Sequence, residues 1–400
     1  MKRDVEIGIL GFARTAMAEY EGTPGHGAFK DTSAVELAAV ASKVALERAG
    51  VPASAVDHVV FGNALQTGID GPYGARHVGL RAGVPITAPG LTVNRLCGSG
   101  IQSAIEAAHL LMLGEARCVL AGGMENMSQA PHVIRGARSG LRLGQGQLED
   151  ALFSALKDAY CGLFMAETAE RLAARYGVDR RAQDTFAHES HRRGSEAIAR
   201  GVFAAEIAAV PVRFRGEKLG WGKDDHVKPD TTLEALARLR PAFGEQGTVT
   251  AGNASGIVDG AAALVVTTAA EARAMGRPVL AYLREWAVTG VEPEVMGIGP
   301  VSAIRAVLER SGLTLDAIDL IEVNEAFAAQ YLAVERELGL DRARTNVNGG
   351  AIALGHPLGA TGTRLILTLV RELACRGKRW GIASACIGGG QGIAMLVERA

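Results

Sequence analysis

The sequence has little of what marks nucleic-acid-binding or membrane proteins. Its formal net charge is −1, so bulk charge would attract neither nucleic acid nor an anionic membrane, and we expect neither as a partner. No apolar run reaches membrane-spanning length, and the first residues lack the long apolar core of a signal peptide. Aromatic residues make up only 5% of the 400 residues, whereas glycine numbers 51. This composition predicts a soluble, cytoplasmic protein with tight turns and closely packed helices.

The five cysteines form no regular framework, and none pairs in a C-x-x-C motif, which excludes a zinc ribbon or a thioredoxin-like site. Their odd number in a large chain is typical of free thiols in a reducing compartment. His188 and His191 stand three apart in a charged helical segment, where a solvated helix face is a better interpretation than a metal site. Gly98-Ser-Gly100 lacks the third glycine of a dinucleotide fingerprint. We therefore expect no metal, nicotinamide or flavin.

Strand-like and helical segments alternate at both ends of the chain. Val5–Phe12 has the pattern of a buried strand, and the next helix starts with the capping-box spacing of Ser33 and Glu36 and closes at Gly50. This alternation predicts an α/β fold with a largely buried sheet. The central stretch differs, since it holds Gly/Arg-rich loops, two amphipathic helices and a mixed-charge segment. We predict an N-terminal α/β half over residues 1–124 completed by about 251–275, an inserted loop domain over 125–250, and a C-terminal α/β half over 276–400.

The second half repeats the first. Two segments recur in the same order and without a gap: Ala45–Val51 matches Val307–Leu313, and Val56–Val59 matches Ile318–Ile321. A weaker correspondence sets Cys97 and its following helix against His356 and its own. Coincidence between two ordinary helix–turn–strand units is the alternative, but the ungapped recurrence favours duplication. Two facing halves would bring equivalent loops together at one site.

Two residues in equivalent turns suit nucleophilic catalysis. Cys97, in the motif NRLCGSG, lies between a strand and a helix, where the helix dipole and free N–H groups predict a lowered thiol pKa. A small buried apolar cysteine is the alternative. His356 lies in a turn rich in Gly, Ala and Pro, and its ordinary pKa near neutrality suits a general base acting on a thiol. A structural turn histidine is an equally good interpretation of His356 alone.

Two further motifs carry polar groups at strand ends. Cys386 lies beside three glycines in CIGGGQG, where a thiol suits acid/base chemistry and the Gly388 N–H would face a thioester oxygen in an oxyanion hole. A disulfide between Cys386 and Cys97 is the competing interpretation, which a cytoplasmic location disfavours. Asn324, in NEAF, suits holding a water or an oxyanion, and a strand-ending turn asparagine is the plain alternative.

Together these motifs resemble the signature blocks of the thiolase family, in the same order and across essentially the whole chain. The resemblance implies a five-layer αβαβα fold made of two similar halves with an inserted loop domain. It implies that Cys97 is the nucleophile, His356 its base and Cys386 a second acid/base, with Asn324 and Gly388 in oxyanion holes. The implied reaction is reversible Claisen condensation of acetyl-CoA with an acyl-CoA, or thiolysis of a 3-ketoacyl-CoA, through an acyl-enzyme on Cys97.

The resemblance also implies that CoA is a substrate and product held by the insertion. By position, the pantetheine tunnel would be lined by Met165, Phe243, Ala251 and Ser255. Lys228 falls where the family commonly has an Arg near the adenine end, and it supplies charge without guanidinium stacking. Phe164 falls where many short-chain biosynthetic thiolases carry a His, which weakens a strict acetoacetyl-CoA assignment and leaves longer or unusual chains open.

Two other function classes stay open at this point. A decarboxylating ketoacyl synthase or related condensing enzyme would share the fold, but such enzymes typically use a Cys-His-His or Cys-His-Asn set, whereas the second cysteine in CIGGGQG favours a thiolase. A non-catalytic acyl-CoA-binding relative would have lost reactive residues, and all four are present here. Thiolases are commonly dimers or tetramers and serve fatty acid metabolism among other pathways, so we expect a homo-oligomer, with the loop around 124–140 suited to tetramer contacts.

Overall fold

The computed structural model describes residues 5–400; the first four residues of the N-terminus, interpreted above as free of a signal peptide, lie outside the described residues. The strands are β1 (Ile7–Arg14), β2 (Ala18–Glu19), β3 (His58–Gly62), β4 (Gly90–Val93), β5 (Cys118–Glu125), β6 (His132–Val133), β7 (Glu149–Asp150), β8 (Val210–Phe214), β9 (Glu217–Trp221), β10 (Val258–Thr268), β11 (Ala281–Gly290), β12 (Leu320–Val323), β13 (Trp380–Ile387) and β14 (Gln391–Arg399). The α-helices are α1 (Ala34–Ala49), α2 (Gly74–Ala82), α3 (Ser99–Leu113), α4 (Ala151–Ala155), α5 (Met165–Tyr176), α6 (Arg180–Ala199), α7 (Leu233–Ala237), α8 (Ala269–Ala274), α9 (Gly299–Ser311), α10 (Ala328–Leu338), α11 (Ala351–Leu354) and α12 (Leu358–Cys375).

Two half-sheets with the same strand order form the framework. The first runs β4-β3-β5-β10-β1 and the second runs β12-β13-β14-β11. In both, the strands at the outer end pair in parallel and the last two pairings are antiparallel. Thr345 bridges in parallel to Ile321 of β12, in the place that β4 takes beside β3. The repeat seen in the sequence is therefore a repeat of topology.

The two half-sheets meet at a short seam. Ile7–Ile9 of β1 pairs antiparallel with Ala281–Leu283 of β11, which makes one continuous path through both halves. The small strand β2 pairs with the far end of β10. Because the seam spans three residue pairs only, packing of helices between the halves has to carry most of their association.

Helices cover the half-sheets in three layers. One apolar core joins α1 and α2 to the outer face of the first half-sheet, and another joins α9 and α10 to the outer face of the second. A third core is shared by the two halves and joins α3 and α12 to inward-facing residues of both half-sheets. The order helix, sheet, helix pair, sheet, helix confirms the predicted five-layer αβαβα fold.

The two central helices, α3 and α12, touch backbone to backbone. A Cβ added at Gly100 would lie 2.4 Å from the Thr363 nitrogen, and one added at Gly362 would lie 2.4 Å from the Ile101 nitrogen. Only glycine permits this approach. Cys97 lies just before the first residue of α3, and His356 lies just before the first residue of α12. The close crossing therefore brings the two predicted catalytic turns to the same end of the central layer.

The predicted helix signals are confirmed in α1. The Ser33 hydroxyl accepts a hydrogen bond from the Glu36 N–H at 3.2 Å, and the Glu36 carboxylate accepts one from the Ser33 N–H at 3.0 Å. Gly50 ends α1 with φ 60°, and Gly312 ends the equivalent helix α9 with φ 71°. The same left-handed glycine cap thus closes both copies.

Between β5 and β10 the chain leaves the two half-sheets and forms small elements. They comprise two two-stranded sheets and the helices α4 to α7, with an exposed loop over residues 135–147. The domain boundaries given above stay a prediction. Among residues 5–400, no helix is both long and apolar enough to cross a membrane.

Candidate active site

A single cavity of about 590 Å³ brings the predicted residues together. Its wall includes Cys97, His356 and Gly388 from the two α/β halves. It also includes all four residues expected along a pantetheine arm, namely Met165, Phe243, Ala251 and Ser255. Asn324 and Cys386 are fully buried and lie behind this wall. The structure therefore brings together residues whose motifs lie far apart in the sequence.

Cys97 sits on a strained turn. Leu96, directly before it, has φ 47°, which a leucine adopts only at a cost of about 1–3 kcal/mol. The Asn94 side chain stabilises this conformation, because its Oδ1 accepts a hydrogen bond from the Leu96 N–H at 3.0 Å. The Ser99 hydroxyl accepts the Arg95 N–H at 2.9 Å from the start of α3. These bonds fix the turn that presents the thiol to the cavity.

The thiol of Cys97 is neutral in the resting protein, which corrects the expectation of a lowered pKa. Burial of the sulfur raises the pKa to about 11, although the residue as a whole is half-buried and faces the cavity. The backbone N–H groups of Gly388 and of Cys97 itself lie near the sulfur and oppose this rise. Apolar neighbours surround the turn, among them Met127 and Leu358. Desolvation thus outweighs the favourable end of the helix.

His356 is held in one tautomer. Its Nδ1 lies 2.6 Å from the Thr361 hydroxyl, which itself donates to the Pro357 carbonyl at 3.0 Å. The hydroxyl must therefore accept from Nδ1–H, which leaves the lone pair on Nε2. Burial, together with the nearby Arg364 guanidinium, lowers the pKa of His356 to about 3, so the imidazole is neutral. A neutral imidazole with an unprotonated Nε2 can accept a proton.

Asn324 faces the same imidazole. Its Nδ2 lies 3.3 Å from His356 Nε2, and its backbone N–H donates to the Ser384 carbonyl at 2.9 Å. Within the described residues, the buried Oδ1 of Asn324 has no hydrogen-bond partner. A buried, unpaired amide oxygen is costly, and a site of this kind commonly holds an ordered water.

Cys386 lies behind the cavity wall, near the end of β13. It packs against Met296 and Ala326, both of which reach the cavity. Burial raises its pKa, and so does the nearness of the Cys97 sulfur. Both cysteines are free thiols. The structure thus places two thiols and one imidazole close together without a disulfide.

The insertion closes the other side of the cavity with aromatic rings. Phe164 stacks on Phe243 with ring centroids 5.0 Å apart and packs against Phe153 at 4.5 Å. The Lys157 ammonium lies 5.4 Å from the Phe164 ring centroid. Phe164 therefore gives this wall an apolar surface at the position where a histidine would give a polar one.

Lys228 does not line the cavity as a free cation. Its ammonium lies 3.1 Å from the Glu19 carboxylate, which also accepts from His226 Nδ1 at 3.0 Å. The His226 imidazole and the Lys228 ammonium lower the pKa of Glu19 to about 2 against the opposing effect of burial. Glu19 and His226 line the cavity, so the sequence motifs missed a charged corner of the site. The contact of Lys228 with an adenine end stays a prediction.

The solvated-face interpretation is wrong for His191. This residue is buried, and its Nδ1 accepts the Lys228 N–H at 3.2 Å, while His188 is half-buried. The helix turns this face toward the segment that follows β9, so the charged sequence around it was misleading. Among the described residues, no group of three or more His, Cys, Asp or Glu is placed to hold a metal ion.

Comparisons with known proteins agree with this geometry. The family model "Thiolase, N-terminal domain" matches residues 7–270, and "Thiolase, C-terminal domain" matches residues 277–399. The chain belongs to the thiolase family. An acetyl-CoA acetyltransferase of Pseudomonas aeruginosa is 46% identical over 98% of this chain and 99% of its own. The human mitochondrial 3-ketoacyl-CoA thiolase is 48% identical over 93% of this chain and 94% of its own.

A solved structure of the human mitochondrial 3-ketoacyl-CoA thiolase in complex with CoA superposes with a TM-score of 0.95. It is 45% identical and covers 99% of this chain and 98% of that one. An acetyl-CoA acetyltransferase from Bacillus anthracis gives the same TM-score at 42% identity, with 99% of each chain covered. The thiolase fold and thiolase activity follow for this chain.

Proposed function

We propose that this thiolase makes and breaks the bond between Cα and the 3-keto carbon of 3-ketoacyl-CoA substrates through an acyl group carried on Cys97. The observation that carries the proposal is the convergence on one cavity of a thiol, a neutral imidazole with its lone pair on Nε2, and two backbone N–H groups near the sulfur. Nucleophile, base and oxyanion donors are the parts that acyl transfer requires.

In the first step His356 Nε2 takes the Cys97 proton as the sulfur attacks the thioester carbonyl of the acyl-CoA. The bond between that carbonyl carbon and the CoA sulfur then breaks, and CoA leaves as a thiol with the proton that His356 returns. Because the thiol is neutral at rest, proton transfer accompanies attack and does not precede it. The negative oxygen that forms would be stabilised by one of two donor sets. One set is the N–H groups of Cys97 and Gly388; the other is His356 with a water on Asn324.

In the second step Cys386, as a thiolate, removes the α-proton of bound acetyl-CoA. The enolate attacks the acyl carbonyl on Cys97, the bond between that carbon and the Cys97 sulfur breaks, and the sulfur takes a proton again. The products are a 3-ketoacyl-CoA and the regenerated thiol. Thiolysis runs the same steps backwards, with CoA as the attacking thiol. Burial raises the pKa of Cys386, so the thiol holds a proton at rest, and this suits it to donate that proton to the enolate that thiolysis releases.

The cavity also supports a proposal about the acyl group. Its wall near Cys97 is apolar, through Leu96, Met127 and Leu358, and Phe164 extends this surface toward the insertion. Because an apolar wall stabilises methylene groups, we infer that chains longer than acetoacetyl are accepted. We also propose that the protein acts in fatty acid metabolism, lies in the cytoplasm and forms a homo-oligomer with residues 124–140 at the interface.

A chain-length series of 3-ketoacyl-CoA substrates with free CoA tests this function. We expect thiolysis with all of them and a higher kcat/KM for chains beyond four carbons. The same preparation should release no CO₂ from malonyl-CoA, since the His356 ring is bonded to Asn324 and Thr361, and the other histidine of the described cavity, His226, is bonded to Glu19. Decarboxylation without thiolysis would favour a ketoacyl synthase, and acyl-CoA binding without either reaction would favour a non-catalytic relative.

A further inference from the structure

Glu125 is a buried carboxylate that the reaction steps above leave unused. It ends β5 and its side chain is closed off from solvent. Four N–H donors point at it. Oε1 accepts from Asn63 Nδ2 at 2.7 Å and the Leu65 N–H at 3.1 Å, while Oε2 accepts from the Ala64 N–H at 3.0 Å and the Gly359 N–H at 2.9 Å. No Lys or Arg is among these partners.

The donors at Ala64 and Leu65 connect Glu125 to the nucleophile. The Ala64 carbonyl accepts from Asn94 Nδ2 at 2.9 Å, and Asn94 Oδ1 holds the strained Leu96 N–H. Ala64 and Leu65 also pack in the same apolar cluster as Cys97. Glu125 therefore holds the turn at Ala64 and Leu65, and this turn holds the Cys97 turn through Asn94.

The donor at Gly359 connects Glu125 to the base. Gly359 follows His356 by three residues and lies in the first turn of α12. Its backbone fits against the ends of β3 and β5, since an added Cβ would lie 2.4 Å from the Met124 carbonyl oxygen and 2.9 Å from that of Gly62. The His356 turn of the second half is thus seated on strands of the first half, with Glu125 bonded at the junction.

We propose that Glu125 is a positioning residue that holds the Cys97 turn and the His356 turn together and so sets the geometry between nucleophile and base. The inference rests on the proposed function of these two residues. Glu125 does not face the cavity, so it acts through the backbone and not on substrate. Its charge has a second effect, because a carboxylate near Cys97 contributes to the raised pKa of the thiol.

The variant Glu125→Gln is a sharp test because each carboxylate oxygen accepts two donors. An amide of the same shape must turn its NH₂ group toward two N–H groups, so two hydrogen bonds are lost in either orientation. A displacement of about 1 Å at the reacting atoms costs on the order of 100-fold in rate. We expect single-turnover acylation by acetyl-CoA to fall by about this factor, while the Kd of acyl-CoA changes little.

The pH profile of Cys97 alkylation by iodoacetamide, followed by peptide mapping, gives a readout that a merely structural role would not move. Burial raises the pKa of Glu125 to about 7, so above pH 8 the wild-type carboxylate is charged and Glu125→Gln lacks that charge. The apparent pKa of the Cys97 thiol should therefore be lower in the variant. Because alkylation needs no acyl-CoA, this result stands even if the proposed acyl chemistry fails.

Asp57→Asn is the matched control. Asp57 also accepts two backbone N–H groups, from Arg117 just before β5 and from Cys118 at its first residue, so it lies at the opposite end of the strand. Its acylation rate and alkylation profile should equal those of the wild type. If Glu125→Gln does not fold, Glu125→Asp, which keeps the charge and shortens the reach, decides the question. Slower acylation with an unshifted alkylation profile in Glu125→Asp supports the proposal, and wild-type acylation in either folded variant overturns it.

Discussion

The two catalytic turns occupy equivalent places in the two halves but differ in how they are held. The Cys97 turn is strained and open, since Leu96 has a positive φ and the thiol faces the cavity. The His356 turn is closed, because Thr361 fixes Nδ1 and only 5% of the residue is exposed. Duplication accounts for where the two residues lie. Local contacts account for why one is suited to attack a carbonyl and the other to hold a proton.

Removing the nucleophile should have the largest effect on activity. We expect Cys97→Ala to lower the thiolysis rate by on the order of 10⁵-fold, because no other group can carry the acyl intermediate. Steady-state thiolysis of acetoacetyl-CoA measures it. Cys118→Ala, a buried thiol at the start of β5 away from the cavity, is the control and should keep its rate. A Cys97→Ala protein within tenfold of the wild type would refute the covalent route.

Removing the base should have a smaller effect. General-base assistance is worth about 10²–10⁴-fold, so His356→Asn should slow single-turnover acylation by that amount while leaving Cys97 in place. Rapid-quench measurement of the acyl-enzyme separates this step from release of product. An acylation rate unchanged in His356→Asn would show that the closed turn has a structural role only.

The closed turn should also make the protein sensitive to acid. The folded-state pKa of His356 lies near 3, below its ordinary value, so the unfolded chain binds a proton that the folded chain excludes. Stability is therefore lost as pH falls from about 6.5 toward 3, by up to ~1.4 kcal/mol per pH unit. Urea unfolding of the wild type and of His356→Asn across this range should show a shallower pH slope for the variant, and equal slopes would contradict the neutral, buried imidazole.

The smallest expected effect concerns the aromatic wall. Phe164→His should replace an apolar contact with a polar one and shift the ratio of kcat/KM toward acetoacetyl-CoA over a six-carbon substrate by about tenfold. Phe153→Leu, which alters the outer ring of the same stack, should change the ratio less. A ratio that does not move in Phe164→His would show that another part of the cavity selects the chain.

The sequence predicts the fold well where local signals agree with packing. The capping box at Ser33 and Glu36 and the glycine caps at Gly50 and Gly312 mark the ends of equivalent helices, and the repeat in the sequence follows from their common topology. Cys97, His356 and Gly388 also meet at the cavity, because the motifs that hold them fall at the ends of strands and helices that meet, whereas the motifs gave no sign of Glu19 and His226.

The electrostatics of the site could not be found in this way. The position of Cys97 before a helix predicts a lowered pKa, yet burial by residues remote in sequence raises it. The charged neighbours of His191 predict a solvated face, yet the segment that carries Lys228 covers it. The role of Glu125 depends on a hydrogen bond to Gly359 in the other half. Each depends on contacts across the fold that no local pattern records.

Mass-spectrometric mapping of the acyl-enzyme tests the central claim most directly. The protein is incubated with acetyl-CoA, quenched in acid, digested and searched for an acetyl adduct. We predict one adduct, on Cys97, which is absent in Cys97→Ala and disappears from the wild type when CoA is added before the quench. An adduct on Cys386 in place of Cys97, or one that persists in Cys97→Ala, would contradict the account.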